Sequence, residues 1–247
     1  MKILYSKYFI DVYKYEINNV WSKKLEFEAY TPKVFNNCDY LVVFNKLRED
    51  KIKTNGKTIL IIWEPPSIRL YSKSYLDQFD YIISNFNINN YKNSKYLYPI
   101  FIETPLKELN FESKIDRICI FNTLKYNPTY VFFRSIFFEI LEKDGLADLY
   151  GKNTKNGIAN KGKKLQKYKY TVIVENFKNR NYFSEKLIDA ILCENLIFYD
   201  GATDIFDNDF IYKEAIIFID VNNFYKSMKI IKNVILNDEY SKRVKFI

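Results

Sequence analysis

The stretch from Tyr168 to Thr203 holds the densest group of side chains that could bind a ligand. An apolar run ends at Glu175-Asn176, a polar loop leads to Tyr182, and an amphipathic run begins at Ser184-Glu185-Lys186. The first turn of a helix presents unpaired N–H groups and partial positive charge, which suits a phosphate. A cation such as Lys186 is disfavoured there unless it meets an anion. The pattern indicates a phosphate site, but a capped helix with a solvated lysine also explains it.

Three further side chains in this stretch could hold the rest of a phosphate-bearing ligand. Glu185 could accept hydrogen bonds from hydroxyl groups, Asn176 could bind polar groups, and Tyr182 could stack on a ring. Loops that follow the carboxyl ends of strands line the ligand crevice of open α/β sheets. We therefore expect these side chains to lie beside the helix start.

Arg134 is a lone cation in an almost wholly apolar segment, Val131–Leu141. A guanidinium in such a helix must extend to solvent, pair with an acid such as Glu139, or meet a ligand anion. Bidentate contact with a phosphate is a strong use of such a residue. Both a structural pair and an anion contact remain open at this point.

Glu64 follows the apolar run Lys57–Ile62, and two prolines come directly after it. A carboxylate at the end of a buried strand could serve as a general base, provided that it reaches the hydroxyl it deprotonates. The alternative is a solvated glutamate in a proline-rich turn.

Residue types exclude several kinds of site. The chain has 247 residues and no histidine, so histidine-based triads and zinc sites are impossible. Its three cysteines are widely spaced, which favours a reducing cytoplasm over a disulfide framework. Asp204, Asp207 and Asp209 could suggest a metal site, but aspartates in a loop more often form turns. We predict no metal site.

The elements that position these residues alternate along the chain between short apolar runs and amphipathic stretches. This order predicts an α/β fold with parallel sheets. We expect two Rossmann-like domains, 1–108 and 109–247. The expected strands are 2–5, 40–44, 58–62, 81–84, 97–102, 115–121, 170–174, 196–199 and 215–219. The clearest expected helices are one from Asn127-Pro128 to Lys143, stopped by Gly145, one capped by Ser184, and one opened by Asn222 or Asn223.

The order of residues from Glu175 to Gly201 resembles the donor-binding signature of the α-1,3/4-fucosyltransferases, glycosyltransferase family 10. The resemblance rests on Glu175, Asn176, Tyr182, Ser184, Glu185, Lys186, Asp189, Ala190 and Gly201. It extends upstream to Tyr168-Lys169-Tyr170, to the helical Arg134 and to Tyr150-Gly151-Lys152, and covers about residues 115 to 240. The N-terminal half matches only at a strand followed by Glu64, where the chain has Glu-Pro-Pro.

The resemblance implies the GT-B fold, in which two Rossmann-like domains face each other across a cleft. It implies inverting transfer of L-fucose from GDP-fucose to a hydroxyl of a glycan acceptor, with Glu64 as the base. It places Arg134 and Lys186 against the donor diphosphate, and Asn176, Tyr182, Ser184 and Glu185 among the other donor contacts. No cofactor would be required, and Mn²⁺ or Mg²⁺ would at most stimulate the reaction.

Two other functions remain open. The same fold could use a different nucleotide sugar, since a helix N-terminus, an arginine and a lysine recognise a diphosphate and not its base. The net charge of +8 and the 18% aromatic content would also suit a nucleic-acid-binding or inactive protein. We favour no nucleic-acid partner, because aromatic residues at this content are expected to fill the cores. We also expect no stable membrane insertion, because no run of 18 apolar residues occurs. A cytoplasmic protein that meets membrane-bound acceptors transiently fits these features.

Overall fold

A computed structural model of the chain describes residues 1–5, 26–30, 35–45, 51–66, 69–86, 88, 94–96, 113–122, 130–152, 154–157, 159–180, 182–205 and 211–246. The chain divides into two compact units, Met1–Tyr98 and Pro99–Ile247. The boundary predicted between residues 108 and 109 lies outside the described residues, so it stays a prediction.

The first unit is built on a parallel sheet of six strands in the order β2-β1-β3-β4-β5-β6. The strands are β1 Lys2–Tyr5, β2 Glu26–Ala29, β3 Tyr40–Phe44, β4 Lys57–Ile62, β5 Tyr81–Ser84 and β6 Ser94–Tyr96, and a short helix, α1, spans Lys73–Leu76. Alternate residues of β4 are buried, because one face of the strand packs on the core. Register pairs Ile62 of β4 with Ser84 of β5, so both strands end at the same edge.

The second unit is built on a parallel sheet of five strands, β7 Ile115–Phe121, β8 Ala147–Tyr150, β9 Tyr168–Val174, β10 Leu196–Asp200 and β11 Ile216–Phe218. Its helices are α2 Tyr130–Lys143, α3 Lys161–Leu165, α4 Glu185–Leu192, α5 Phe224–Leu236 and α6 Glu239–Arg243, with 3₁₀ turns at Lys213–Ala215 and Val244–Phe246. Six of the seven residues of β9 are buried and all five of β10, which is typical of parallel strands covered on both faces.

The strand order of the second sheet is β11-β10-β9-β7-β8, so the direction of winding reverses between β7 and β9. Open α/β sheets bind ligands outside the carboxyl ends of the strands at such a switch point. All pairings in this sheet are parallel, so the residues that follow the strands gather at one edge. The topology alone therefore locates the candidate site of this unit at the carboxyl ends of β7 and β9.

The core of the second unit packs α2 and α5 against the sheet. Phe137 and Leu141 of α2 and Ile231 of α5 are fully buried in it. Tyr170 of β9 stacks on Phe198 of β10, with ring centroids 5.9 Å apart. The burial of Phe137 and Leu141 packs α2 on the sheet and so places the first turns of this helix near the carboxyl edge.

The predicted α/β fold with parallel sheets is confirmed. Eight of the nine predicted strands are present within a few residues, and the ninth, 97–102, lies outside the described residues. The helix predicted to reach Lys143 does so, and Gly145 follows it with φ of +74°. Its predicted start at Asn127-Pro128 lies outside the described residues. Strands β2, β6 and β8 and the short helices α1, α3 and α6 were not predicted. No helix within the described residues is long and apolar enough to cross a membrane.

Candidate functional site

Arg134 and Asn176 meet across the switch point of the second sheet. Arg134 lies near the start of α2 and is buried, and Asn176 follows β9. An Nη1 proton of Arg134 is donated to Asn176 Oδ1 over 2.6 Å. The buried guanidinium is thus held beside the carboxyl ends of β7 and β9, the place where topology expects a ligand.

Asn122 is a polar residue of this edge that the sequence analysis missed. It follows β7 directly and is 3% exposed, and its Oδ1 has no hydrogen-bond partner among the described residues. Gly151, which follows β8, has φ of +142°, and a Cβ there would collide with the carbonyl oxygen of Asn122. The sequence did contain a signal for Asn122, because it is a polar residue directly after an apolar strand, the pattern that identified Glu175 and Asn176.

Glu175 and Ser184 link the end of β9 to the start of α4. The Ser184 N–H donates to Glu175 Oε1 over 2.9 Å, and both residues are buried. Ser184 is the N-cap residue, yet its hydroxyl makes no capping bond. Neither Ser184 Oγ nor Glu175 Oε2 has a hydrogen-bond partner in the described part of the chain. Two buried polar atoms at the helix start therefore have no hydrogen-bond partner among the described residues.

The first turn of α4 carries one acid and one base. Glu185 Oε1 lies 3.9 Å from Lys161 Nζ, and that ammonium also lies 2.8 Å from Oδ2 of the fully buried Asp189. Lys186 is half-buried, and its ammonium makes no hydrogen bond or ion pair with any described residue. A cation at this end of a helix opposes the helix dipole unless an anion binds. Its placement is consistent with the phosphate site predicted from the sequence.

Tyr182 lies just before the helix start but is 2% exposed. Its ring packs edge-on against Phe177 with centroids 5.6 Å apart. Burial, with smaller contributions from Glu175 and Glu185, raises the pKa of Tyr182 well above its usual range. The phenol is therefore neutral at any physiological pH. The stacking role expected for Tyr182 stays a prediction.

The carboxyl end of β10 is occupied by an internal ion pair. Asp200 is buried, pairs with Lys178, and accepts the Val221 N–H at 3.0 Å through Oδ2. This carboxylate therefore ties β10 to the segment after β11. Asp204 forms an ion pair with Arg180 at 3.4 Å, whereas Asp207 and Asp209 lie outside the described residues. Within the described ranges, no three carboxylates or cysteines cluster as metal ligands would.

Glu64 follows β4 at the carboxyl edge of the first sheet. Asn45, which follows β3 in the left-handed conformation, accepts the N–H groups of Trp63 and Glu64 at 2.8 and 3.1 Å. Asparagine tolerates positive φ better than other non-glycine residues. Glu64 Oε2 forms an ion pair with Arg69 Nε at 2.8 Å, and the Glu64 side chain is 24% exposed. The backbone of Glu64 is thus fixed, and its carboxylate is partly accessible.

No family model matches the chain, and no curated protein matches its sequence. Solved structures do match its fold. The crystal structure of an α1,3-fucosyltransferase superposes with a TM-score of 0.65 at 15% identity, covering 99% of this chain and 81% of that one. The same values hold for an α1,3-fucosyltransferase with GDP-fucose. The Anabaena protein HepE, in complex with UDP and glucose, gives a TM-score of 0.59 at 10% identity over 99% of this chain and 92% of that one.

An α-glucosyltransferase in complex with UDP and a 13-mer DNA matches less closely, with a TM-score of 0.54 at 12% identity over 98% of this chain and 92% of that one. Identities this low establish the fold and nothing finer. The chain therefore has the GT-B glycosyltransferase fold, as the resemblance implied.

Proposed function

We propose that the protein is an inverting glycosyltransferase that transfers L-fucose from GDP-fucose to a hydroxyl of a glycan acceptor. The observation that carries the proposal is the pairing of Arg134 with Asn176 at the switch point of the second sheet, in the unit that also presents the start of α4. The ordered resemblance from Glu175 to Gly201 and the likeness in fold to an α1,3-fucosyltransferase support the choice of sugar.

The donor would bind at the carboxyl edge of the second sheet. Arg134 and Lys186 would contact the diphosphate, with further help from the N–H groups at the start of α4. Glu185 would accept hydrogen bonds from ribose or sugar hydroxyls, and Asn176 and Ser184 would bind polar groups of the donor. Tyr182 would contact the donor through the edge of its buried ring.

Transfer would take place in one displacement. The acceptor oxygen attacks the anomeric carbon of the fucose, and the bond from that carbon to the β-phosphate oxygen breaks with its electron pair. Glu64 takes the acceptor proton through the carboxylate oxygen that Arg69 does not hold. Positive charge from Arg134 and Lys186 offsets the charge that develops on GDP, which is the role a divalent cation plays in other enzymes. We propose that no metal is required and that Mn²⁺ or Mg²⁺ would at most stimulate.

A second donor class is the specific alternative. Two of the matched proteins were solved with UDP, and a diphosphate site of this kind does not by itself distinguish guanine from uracil. The alternative keeps the fold and the positions of Arg134 and Lys186 and changes only the base and the sugar.

A thermal-shift panel separates these possibilities. The protein is melted with GDP, GDP-fucose, GDP-mannose, UDP, UDP-glucose and ADP, each with and without Mn²⁺. A ligand that binds only the folded state raises the melting temperature by mass action. We expect GDP and GDP-fucose to stabilise the protein with or without metal. If only the UDP compounds stabilise the protein, the donor is a UDP-sugar and not GDP-fucose. If no nucleotide raises the melting temperature, the proposal is contradicted.

A further inference from the structure

Asn85 carries a buried side-chain amide for which the described part of the chain provides no hydrogen-bond partner. It follows β5, is 2% exposed, and neither its Oδ1 nor its Nδ2 bonds any described residue. Burying an unsatisfied amide costs stability, so native proteins rarely keep one without a use for it. Asn195 provides the contrast within the same chain. It is also fully buried, and its Oδ1 likewise has no hydrogen-bond partner among the described residues, but its Nδ2 donates to the carbonyls of Leu165 and Tyr168 at 2.9 and 2.7 Å.

Asn85 lies beside the proposed base. Parallel pairing of β4 with β5 matches Ile62 with Ser84, so Trp63-Glu64 and Asn85 leave neighbouring strands at the same edge. Adjacent strands are about 4.8 Å apart, which places the Asn85 backbone within one side-chain length of Glu64. In this register Asn85 lies opposite Trp63, the residue before Glu64.

Tyr71 adds a second unsatisfied group near Glu64. Its hydroxyl is buried and has no hydrogen-bond partner in the described ranges. The segment that carries it folds back on Glu64, since the Arg69 N–H donates to the Pro65 carbonyl at 3.0 Å and Arg69 pairs with Glu64. The Tyr71 ring stacks on Tyr75, with ring centroids 5.9 Å apart.

The chemistry of these two groups favours a neutral ligand with hydroxyl groups. A side-chain amide and a phenol each both donate and accept hydrogen bonds, as a sugar hydroxyl does. Neither group carries a charge, because burial also raises the pKa of Tyr71 well above its usual range. A phosphate would instead require a cation, and Arg69, the cation that acts on Tyr71, is already paired with Glu64.

We propose that Asn85 and Tyr71 bind hydroxyl groups of the carbohydrate acceptor next to Glu64 and so determine which acceptor is used. The inference rests on the proposed function for the role of Glu64, but sugar binding at this edge can be measured without any transfer. In this inference Asn85 and Tyr71 of the first unit bind the acceptor, whereas the donor binds to the second unit.

The test combines sugar binding with melting on three variants of the full chain. Asn85→Leu and Tyr71→Phe remove the polar atoms and keep the shape, and Asn195→Leu is the matched control. Saturation-transfer NMR with lactose, N-acetyllactosamine, cellobiose and maltose reports sugar binding. We expect wild type to bind at least one of them, and both site variants to bind it about tenfold more weakly or not at all. Asn85→Leu should melt at or above wild type, whereas Asn195→Leu should melt lower, because only Asn195 loses hydrogen bonds.

Three results would overturn the inference. The first is that no sugar binds wild type, and the second is that the site variants bind sugar as wild type does. The third is a fall in the melting temperature of Asn85→Leu as large as that of Asn195→Leu, because the amide would then be structural. The rise in melting temperature caused by GDP-fucose is measured on the same samples and should be equal in wild type and Asn85→Leu. If GDP-fucose does not raise the melting temperature of wild type but sugars still bind, the proposed donor is wrong and this subsite is not contradicted.

Discussion

An Arg134 N–H donates to Asn176 Oδ1 over 2.6 Å, joining a helix that follows β7 to the second residue after β9. Because the strand order reverses between β7 and β9, this bond spans the point at which the second sheet has room for a ligand. The bond leaves the guanidinium pre-oriented, so little side-chain entropy is lost when an anion binds.

Arg134→Lys tests whether that orientation matters. Lysine keeps the charge but not the fork of donors, so we expect GDP to bind about 10- to 100-fold more weakly. Arg117→Lys is the control, since Arg117 pairs with Asp148 at 2.8 Å and has no proposed ligand role. Calorimetric titration of both variants checks this, and equal GDP affinity of Arg134→Lys and wild type would remove Arg134 from the site.

Lys186→Ala should change stability and binding in opposite directions. Removing a cation from the first turn of α4 should stabilise the ligand-free protein by about 0.3–1 kcal/mol, because the helix dipole disfavours positive charge there. The same change should weaken GDP binding. Denaturant unfolding with and without GDP measures both effects. Lys229→Ala, an exposed change in α5, should alter neither quantity, and lower ligand-free stability of Lys186→Ala would show that the lysine has a structural role instead.

Glu64→Gln should leave nucleotide binding unchanged and lower the rate of transfer by about 10²- to 10⁴-fold, because glutamine keeps the shape but cannot accept the proton. Glu28→Gln, which alters an exposed partner of Lys2, is the control. Turnover is followed by release of GDP in the presence of acceptor. Normal turnover of Glu64→Gln would show that another group is the base.

Gly151 and Gly145 should differ sharply in their tolerance of alanine. Gly145→Ala meets no atom within 4 Å and should cost about 1–2 kcal/mol, the usual penalty of a positive φ. Gly151→Ala adds a collision with the backbone of Asn122 to that penalty, and should cost more than about 3 kcal/mol. Urea unfolding of the two variants measures the difference, and similar costs would mean that β7 and β8 do not approach as closely as described.

The buried ammonium of Lys114 should make the stability of the protein depend on pH. Its ammonium donates to the carbonyls of Gln166, Tyr168 and Cys193, and burial, opposed by Cys193 and Glu194, lowers its pKa to about 8. Between that pH and the ordinary lysine pKa of about 10.4, the unfolded chain holds more protons than the folded one. The contribution of Lys114 to stability should therefore rise with pH across this window.

Unfolding of wild type and Lys114→Met at several pH values from about 7.5 to 10.5 isolates that contribution. The stability of wild type relative to the variant should increase with pH. A flat or falling difference would show that the three carbonyl contacts keep the ammonium charged throughout.

Much of the fold could be predicted because parallel strands are buried on both faces. The runs that became β9 and β10 are continuous and apolar, so their positions follow from composition. Strand β8, Ala147–Tyr150, was missed because it is short and carries Asp148, whose charge is neutralised by Arg117 from the neighbouring strand. That pairing depends on tertiary structure and leaves no local pattern.

In the candidate site, too, some features follow from local sequence and others depend on tertiary structure. Local order was enough to predict Ser184 at the start of a helix and Glu175 at the end of a strand. The bond from Arg134 to Asn176 joins residues 42 positions apart, and nothing near either residue indicates it. The unsatisfied amide of Asn85 was missed because a buried asparagine without a partner looks, in sequence, like any asparagine after a strand.

Calorimetric titration of GDP-fucose and UDP-glucose into wild type, without added metal, tests the central claim most directly. The account predicts that GDP-fucose binds with one site per chain, that UDP-glucose binds far more weakly, and that Lys186→Ala lowers the GDP-fucose affinity by about tenfold or more. Absence of binding by GDP-fucose, or binding that Lys186→Ala does not weaken, would contradict a fucose-nucleotide site at the start of α4.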